Sequence, residues 1–180
     1  MGLSRKCILF VAMSLDGFIA SSNDSLDFLK SIEKEGEDYG YKEFMDTIDT
    51  VVMGRRTYEK VMTLVPEFPH AHLRSYIITK NPKPTEGNMH FYSGNLSELI
   101  HSLKTQQGKD IFIDGGAILA NSLFKINAID EIVVSIVPFL LGDGVSLFQN
   151  SLQNKNIELI SCKHYSTGLV QLHYTIPSIS

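Results

Sequence analysis

The stretch Asp110-Ile111-Phe112-Ile113-Asp114-Gly115-Gly116-Ala117-Ile118-Leu119-Ala120 decides the fold. Ile111 to Ile113 are three consecutive β-type residues and read as a short buried strand. Gly115 and Gly116 follow at once, and from Ala117 to Phe124 apolar residues recur at helical spacing. Strand, glycine pair and helix together make a geometry that can hold a phosphate. Glycine permits positive φ and a close approach by a ligand. A helix start offers unpaired N–H groups and a partial positive charge. The same pattern also makes an ordinary tight turn, so the decision on chemistry rests on the rest of the chain.

Working upstream, Leu96, Leu99, Ile100 and Leu103 form the apolar stripe of a helix running to about Gln106 and ended by Gly108. His90–Tyr92 and Ser75–Thr79 read as strands. Thr50–Met53 is another strand, and Gly54-Arg55-Arg56-Thr57 turns it into a short helix through Met62. Tyr41, Phe44, Met45 and Ile48 predict a helix from about Asp38 to Thr47. Ser31 to Asp38 is charged and expected to be exposed. Cys7 to Met13 is apolar on both faces, the mark of a central strand covered on both sides. Ser14-Leu15-Asp16-Gly17 is a turn, after which Phe18–Ala20 is expected to continue the strand. Downstream, Glu131–Val137 is a strand stopped by Pro138. Ile157–Tyr165 and Leu169–Ile176 form an antiparallel hairpin around Thr167-Gly168. Strands separated by helices predict a single α/β domain over residues 1–180. Its sheet is mixed but mainly parallel, flanked by helices, with an antiparallel C-terminal hairpin.

The 180 residues are 43% hydrophobic and 20% charged, which fits one soluble domain with a sizeable core. A net charge of −4 and a pI near 5.8 argue against a nucleic-acid partner, which would meet a basic face. No apolar run is long enough to span a bilayer. Arg5-Lys6 and the apolar residues after them are too short a run for a leader and lack a cleavage site. A cytoplasmic protein with no membrane partner is therefore expected. Cys7 and Cys162 lack metal-ligand spacing and are expected to be buried, reduced thiols. His70-Ala71-His72 has no further ligand at a fitting distance in sequence, so no metal is expected.

Two features match the opening turn. Gly54-Arg55-Arg56-Thr57 supplies backbone N–H groups, a hydroxyl and two guanidinium groups suited to phosphate. Thr79-Lys80 ends another strand with a hydroxyl and a cation. In a parallel sheet all three turns lie at the carboxyl ends of strands, where ligands bind. Together they point to a phosphorylated ligand of dinucleotide size.

Four segments, in this order and spacing, resemble the dihydrofolate-reductase-like superfamily. They are Ala12–Ala20, Val51–Tyr58, Phe112–Ala117, and Asp130-Glu131 through Pro138–Gly142. The likeness covers nearly the whole chain. It is nearest to the branch containing the C-terminal reductase domain of riboflavin biosynthesis. It implies NADPH as cofactor. Arg55, Thr57 and Lys80 would hold the 2′-phosphate end, with Gly54, Arg56 and Thr79 in the same turns. Gly115, Gly116 and Ala117 would take the pyrophosphate. Ala12 and Ile19 or Ala20 would flank the nicotinamide.

On the substrate side, an ungapped count back from Met53-Gly54 brings Asp38 to the place of the carboxylate that grips a pterin. The charged run around it reads equally as a solvated face. Ser14, Asp16 and Asp114 are the candidates of the riboflavin branch. Asp114, just before the glycines, meets a sugar hydroxyl or caps the following helix. Asp16 acts as an acid or forms the turn. The Leu-Pro-Trp of dihydrofolate reductases is absent, and Asp27-Phe28-Leu29 stands near its place, which counts against folate reduction. The implied activity is hydride transfer to the ribose C1 of 5-amino-6-(5-phosphoribosylamino)uracil, or to another small substrate. Dihydrofolate or pterin reduction, and NADPH binding without turnover, are the alternatives. The resemblance also implies a homodimer, in contact through the C-terminal hairpin or the strand Glu131–Val137.

Overall fold

The strand β1 (Cys7–Ser14) lies inside an eight-stranded sheet, between β6 (Asp110–Ile113) and β7 (Glu131–Val137), parallel to both. The computed structural model describes residues 5–149, 152 and 154–177. Beyond β6 come β3 (Ile48–Gly54), β4 (Arg74–Ile78) and β5 (Met89–Tyr92), giving the order β5-β4-β3-β6-β1-β7-β10-β9. The hairpin of β9 (Glu158–His164) and β10 (Val170–Thr175) joins this sheet because β10 pairs antiparallel with β7.

The alternation of side chains along the strands sorts the core into layers. Cys7, Leu9, Ile111, Ile113 and Val52 face α3 (Leu96–Thr105) and α4 (Ala117–Lys125) on one side. Asn95 caps α3 by accepting a hydrogen bond from the Glu98 N–H, and the helix buries Leu99, Ile100 and Leu103. Val51, Met53, Ile77 and Phe112 form a cluster on the other side, against which Phe44, Met45 and Tyr58 pack. Phe44 and Met45 lie on α1 (Tyr41–Asp46), Tyr58 on α2 (Arg55–Leu64). Phe112 meets the rings of Phe10 and Phe44 edge-on. Burying one such side chain stabilises by about 1.5–3 kcal/mol.

The structure departs from the sequence reading in several places. Phe18–Ala20 does not continue β1. Gly17, at φ 90°, turns the chain, and these residues form β2, which pairs with β8 (Val145–Ser146) in a separate two-stranded sheet. The helix expected from Asp38 begins only at Tyr41, because Tyr39 (φ 56°) and Gly40 (φ 78°) are left-handed. The piece around Phe28 is a 3-10 helix, Asp27–Ile32, with Phe28 and Ile32 buried. Cys7 is buried as expected, but Cys162 is exposed on β9. The strand β7 has both of its edges paired, so it offers no edge for a second subunit.

Candidate active site

The strands β4, β3 and β6 are neighbours, so the turns that follow them share one edge of the sheet. Gly54 ends β3 and precedes α2, while Gly116 precedes α4, so two helix N-termini stand side by side. The Gly54 N–H donates to the Gly115 carbonyl at 3.4 Å, and the Asp114 N–H donates to the Val52 carbonyl at 3.0 Å. Gly115 (φ 61°) and Gly116 (φ 47°) are both left-handed. A Cβ on Gly115 would meet nothing within 4 Å, so space is open above the pair. A Cβ on Gly116 would come within 2.8 Å of Thr57 Oγ1, which brings the second turn against the first. Ala117 starts α4 and is buried.

The cations are held by carboxylates. One Nη1 of Arg55 lies 2.6 and 2.7 Å from the two oxygens of Glu59, one helical turn away. Arg56 reaches Asp24 at 2.9 Å, across from the loop after β2. Both pairs are exposed and each contributes little to stability, so a phosphate can take their place. Thr79 is buried, and its hydroxyl accepts from the Asn81 N–H at 3.1 Å. Lys80 is exposed beside it. An open glycine cradle, two helix starts, hydroxyls and loosely held cations fit the phosphates of a dinucleotide.

Beside this edge a cavity of about 510 Å³ has an apolar floor of Ala12, Leu29 and Ile32. Its rim carries Glu33, Lys34, Glu35, Glu37 and Tyr39. Lys34 donates to the Ser166 hydroxyl at 2.7 Å, and three glutamates against this one cation make the rim acidic. Ile19 packs on the main core and Ala20 pairs with Val145, so both lie in or near the strand layer that borders β1.

Of the expected substrate residues, three are absorbed by local structure. Asp38 is exposed and does not line the cavity. Its oxygens accept from the Gly40 and Lys42 N–H groups at 2.9 and 3.1 Å, which caps the start of α1 and lowers its pKa. Ser14 is fully buried and donates to Asp16 at 2.5 Å while accepting from the Phe18 N–H at 3.0 Å. Asp16 also accepts from the Leu141 and Gly142 N–H groups, at 3.1 and 2.7 Å. The Ser14 hydroxyl and these amides hold its pKa down to about 2. A carboxylate so committed ties two loops together and is a poor proton donor.

Asp114 is different. It extends β6 on the face of Phe112. In the β1–β6 register Ile8 stands opposite Phe112, so Asp114 comes beside Phe10, one side-chain step from Ala12. Its carboxylate lies 3.4 Å from Nε2 of His70, a side chain only 5% exposed. Burial raises the Asp114 pKa, and the neighbouring His70 acts against that rise. Asp114 makes no side-chain cap on α4, since Gly116 holds the cap position.

The RibD C-terminal domain family matches residues 5–171. The chain belongs to that family. A relative within reach of plain sequence comparison is the uncharacterized protein YwjB of Bacillus subtilis (strain 168). It is 38% identical over 173 residues, covering 96% of this chain and 98% of that one. The crystal structure of a protein from Shewanella sp. PV-4, provisionally assigned to riboflavin biosynthesis, superposes with a TM-score of 0.84 at 30% identity. That match covers 96% of this chain and 99% of the other. The fold is also that of dihydrofolate reductase. The Enterococcus faecalis enzyme, solved with NADP(H) and RAB-propyl, matches with a TM-score of 0.66 at 16% identity, over 98% and 100% of the two chains. This RibD C-terminal domain therefore has the dihydrofolate-reductase-like architecture that its four segments imply.

Sequence reasoning passed over two parts of the site. His70 sits in an irregular loop, where no periodicity marks an inward-facing residue. The cavity wall from the 3-10 helix was hidden because Ser31 to Asp38 reads as a solvated run, while Ile32 and Tyr39 turn inward from it.

Proposed function

We propose that this RibD C-terminal domain protein is an NADPH-dependent reductase acting on a small heterocyclic or ribosylamino substrate. The observation that carries the reading is the Thr57–Gly116 contact. It sets two helix N-termini and a glycine cradle at the sheet edge, next to a cavity floored by Ala12. The bound cofactor would supply the hydride. Arg55, Arg56, Thr57, Thr79 and Lys80 hold its adenosine phosphate end, and Gly54, Gly115, Gly116 and Ala117 meet the pyrophosphate. Ala12, Ile19 and Ala20 border the nicotinamide. Asp114 accepts a hydrogen bond from an N–H or O–H of the substrate on the Ala12 face.

The acidic rim bears on the choice of substrate. Glu33, Glu35 and Glu37 oppose a phosphate at this mouth. An uncharged ring or nucleoside is therefore favoured over 5-amino-6-(5-phosphoribosylamino)uracil itself. The decisive assay follows NADPH oxidation with that aminouracil in its phosphorylated and dephosphorylated forms, with dihydrofolate as control. Turnover of the dephosphorylated form in excess of the others is expected. No oxidation above background with any of them, despite tight NADPH binding, would instead support a binding protein without turnover.

We further propose that two copies associate through the outer edge of β9. Leu159 and Ile160 are about half exposed on that strand, and an open edge strand carrying exposed apolar side chains is a template for pairing. Sedimentation equilibrium tests this. A monomer at all concentrations would remove it.

A further inference from the structure

The loop between α2 and β4 carries an ionisable ring into the core. The His70 ring packs edge-on against Phe68, 5.5 Å away, and Phe112, 5.9 Å away. Nε2 faces Asp114, and the backbone carbonyl of His70 accepts from the Leu73 N–H at 2.9 Å, which fixes the loop. An apolar side chain would fill this place without the cost of burying a polar ring. The ring is therefore placed here for its polar contact with Asp114 rather than for packing alone. Asp114 shares the sheet face of Ala12, one side-chain step from it, and is not itself among the residues that line the cavity.

We propose that His70 is a positioning residue that holds the Asp114 side chain in place, so that the carboxylate accepts a hydrogen bond from the substrate. What Asp114 meets rests on the reductase reading above, whereas the coupling of the two side chains does not.

The groups around Asp114 support this role. Tyr41 on α1 also feels the Asp114 charge. Burial, and then that charge, push the Tyr41 pKa to about 12, so Tyr41 stays neutral and supplies no countercharge. Among the described residues, Nε2 of His70 lies 3.4 Å from the Asp114 carboxylate, and His70 counters the effect of burial. Without His70, burial acts unopposed, and the carboxyl stays protonated to higher pH. A protonated Asp114 would donate a hydrogen bond where the substrate needs an acceptor.

The test is an NMR titration of the histidine ring nitrogens in the whole protein, for the native chain and for Asp114→Asn. The pH profile of kcat/KM is then compared between the native chain and His70→Gln. Loss of the carboxylate is expected to alter the His70 ring-nitrogen signals across the titration. His70→Gln is expected to move the acid limb of the profile to higher pH, while its NADPH affinity stays within twofold of native. An unchanged His70 titration in Asp114→Asn overturns the proposal, and so does an unmoved acid limb. If His70→Gln does not fold, the Asp114→Asn titration alone decides. If His70 responds to Asp114 but no substrate is turned over, the coupling stands and the reductase reading fails.

Discussion

Thr57 Oγ1 stands 2.8 Å from the point where a Cβ would project from Gly116. The two residues belong to different turns, and only the missing side chain of Gly116 lets the turns meet. Gly116 also holds φ 47° and ψ 140°, a conformation that costs a side-chain-bearing residue about 1–3 kcal/mol. Gly116→Ala should lower stability by about that amount and weaken NADPH binding. Thr57→Ala in the same chain should recover part of the stability but not the strain. A double-mutant cycle by urea unfolding, with NADPH titration of each variant, measures both effects. Strict additivity of the two substitutions would deny the contact.

Arg55 reaches a ligand only by leaving Glu59. Arg55→Ala should therefore weaken NADPH binding about tenfold, a loss of roughly 1.4 kcal/mol, and change NADH binding far less. Glu59→Gln should strengthen NADPH binding by about two- to threefold, because a released guanidinium regains a charge-assisted partner. Calorimetric titration at two salt concentrations reads both, with the difference shrinking at high salt.

Asp16 ties the turn after β1 to the loop after β7, through Leu141 and Gly142. Its folded pKa of about 2 lies below the ordinary aspartate value of about 3.9. The stability it contributes is complete above the higher value and disappears as pH falls toward the lower one. The melting temperatures of the native chain and Asp16→Asn should differ at neutral pH and converge between about pH 4 and pH 2. A gap that stays constant across that range would show that the tie is not electrostatic.

At the opposite end of the sheet, buried Glu131 accepts from Lys6 at 2.5 Å and faces Nε2 of His173 at 2.8 Å. Burial pushes its pKa up, but Lys6 and His173 outweigh burial and leave it lowered. Lys6 is half exposed, so its share is modest. Glu131→Gln should cost about 1–2 kcal/mol in urea unfolding. Because this group lies far from the ligand edge, NADPH affinity should stay unchanged.

The sequence made the strands and helices legible where periodicity was strong. The bounds expected for Glu131–Val137 coincide with β7, and the apolar stripe of Leu96–Leu103 lies buried along α3. The glycine turns were legible for the same reason, since each follows a clear strand and precedes a clear helix. Backbone reversals were less visible. Nothing in Tyr39 announces a left-handed residue, yet it and Gly40 delay α1, and Asp38 becomes a cap as a result. His70 was hidden because its partner lies 44 positions further on, and only the sheet brings the two together.

The placement of β1 has a consequence for how the protein is made. Cys7 pairs with Ile111, and Ile8 pairs with Glu131. The strand β1 therefore stays without either neighbour until the chain has been synthesised past Ile111. Such distant pairings slow folding and leave apolar surface open for longer. The Cys7–Met13 run, apolar on both faces, is thus the segment of the nascent chain with the greatest need of a chaperone.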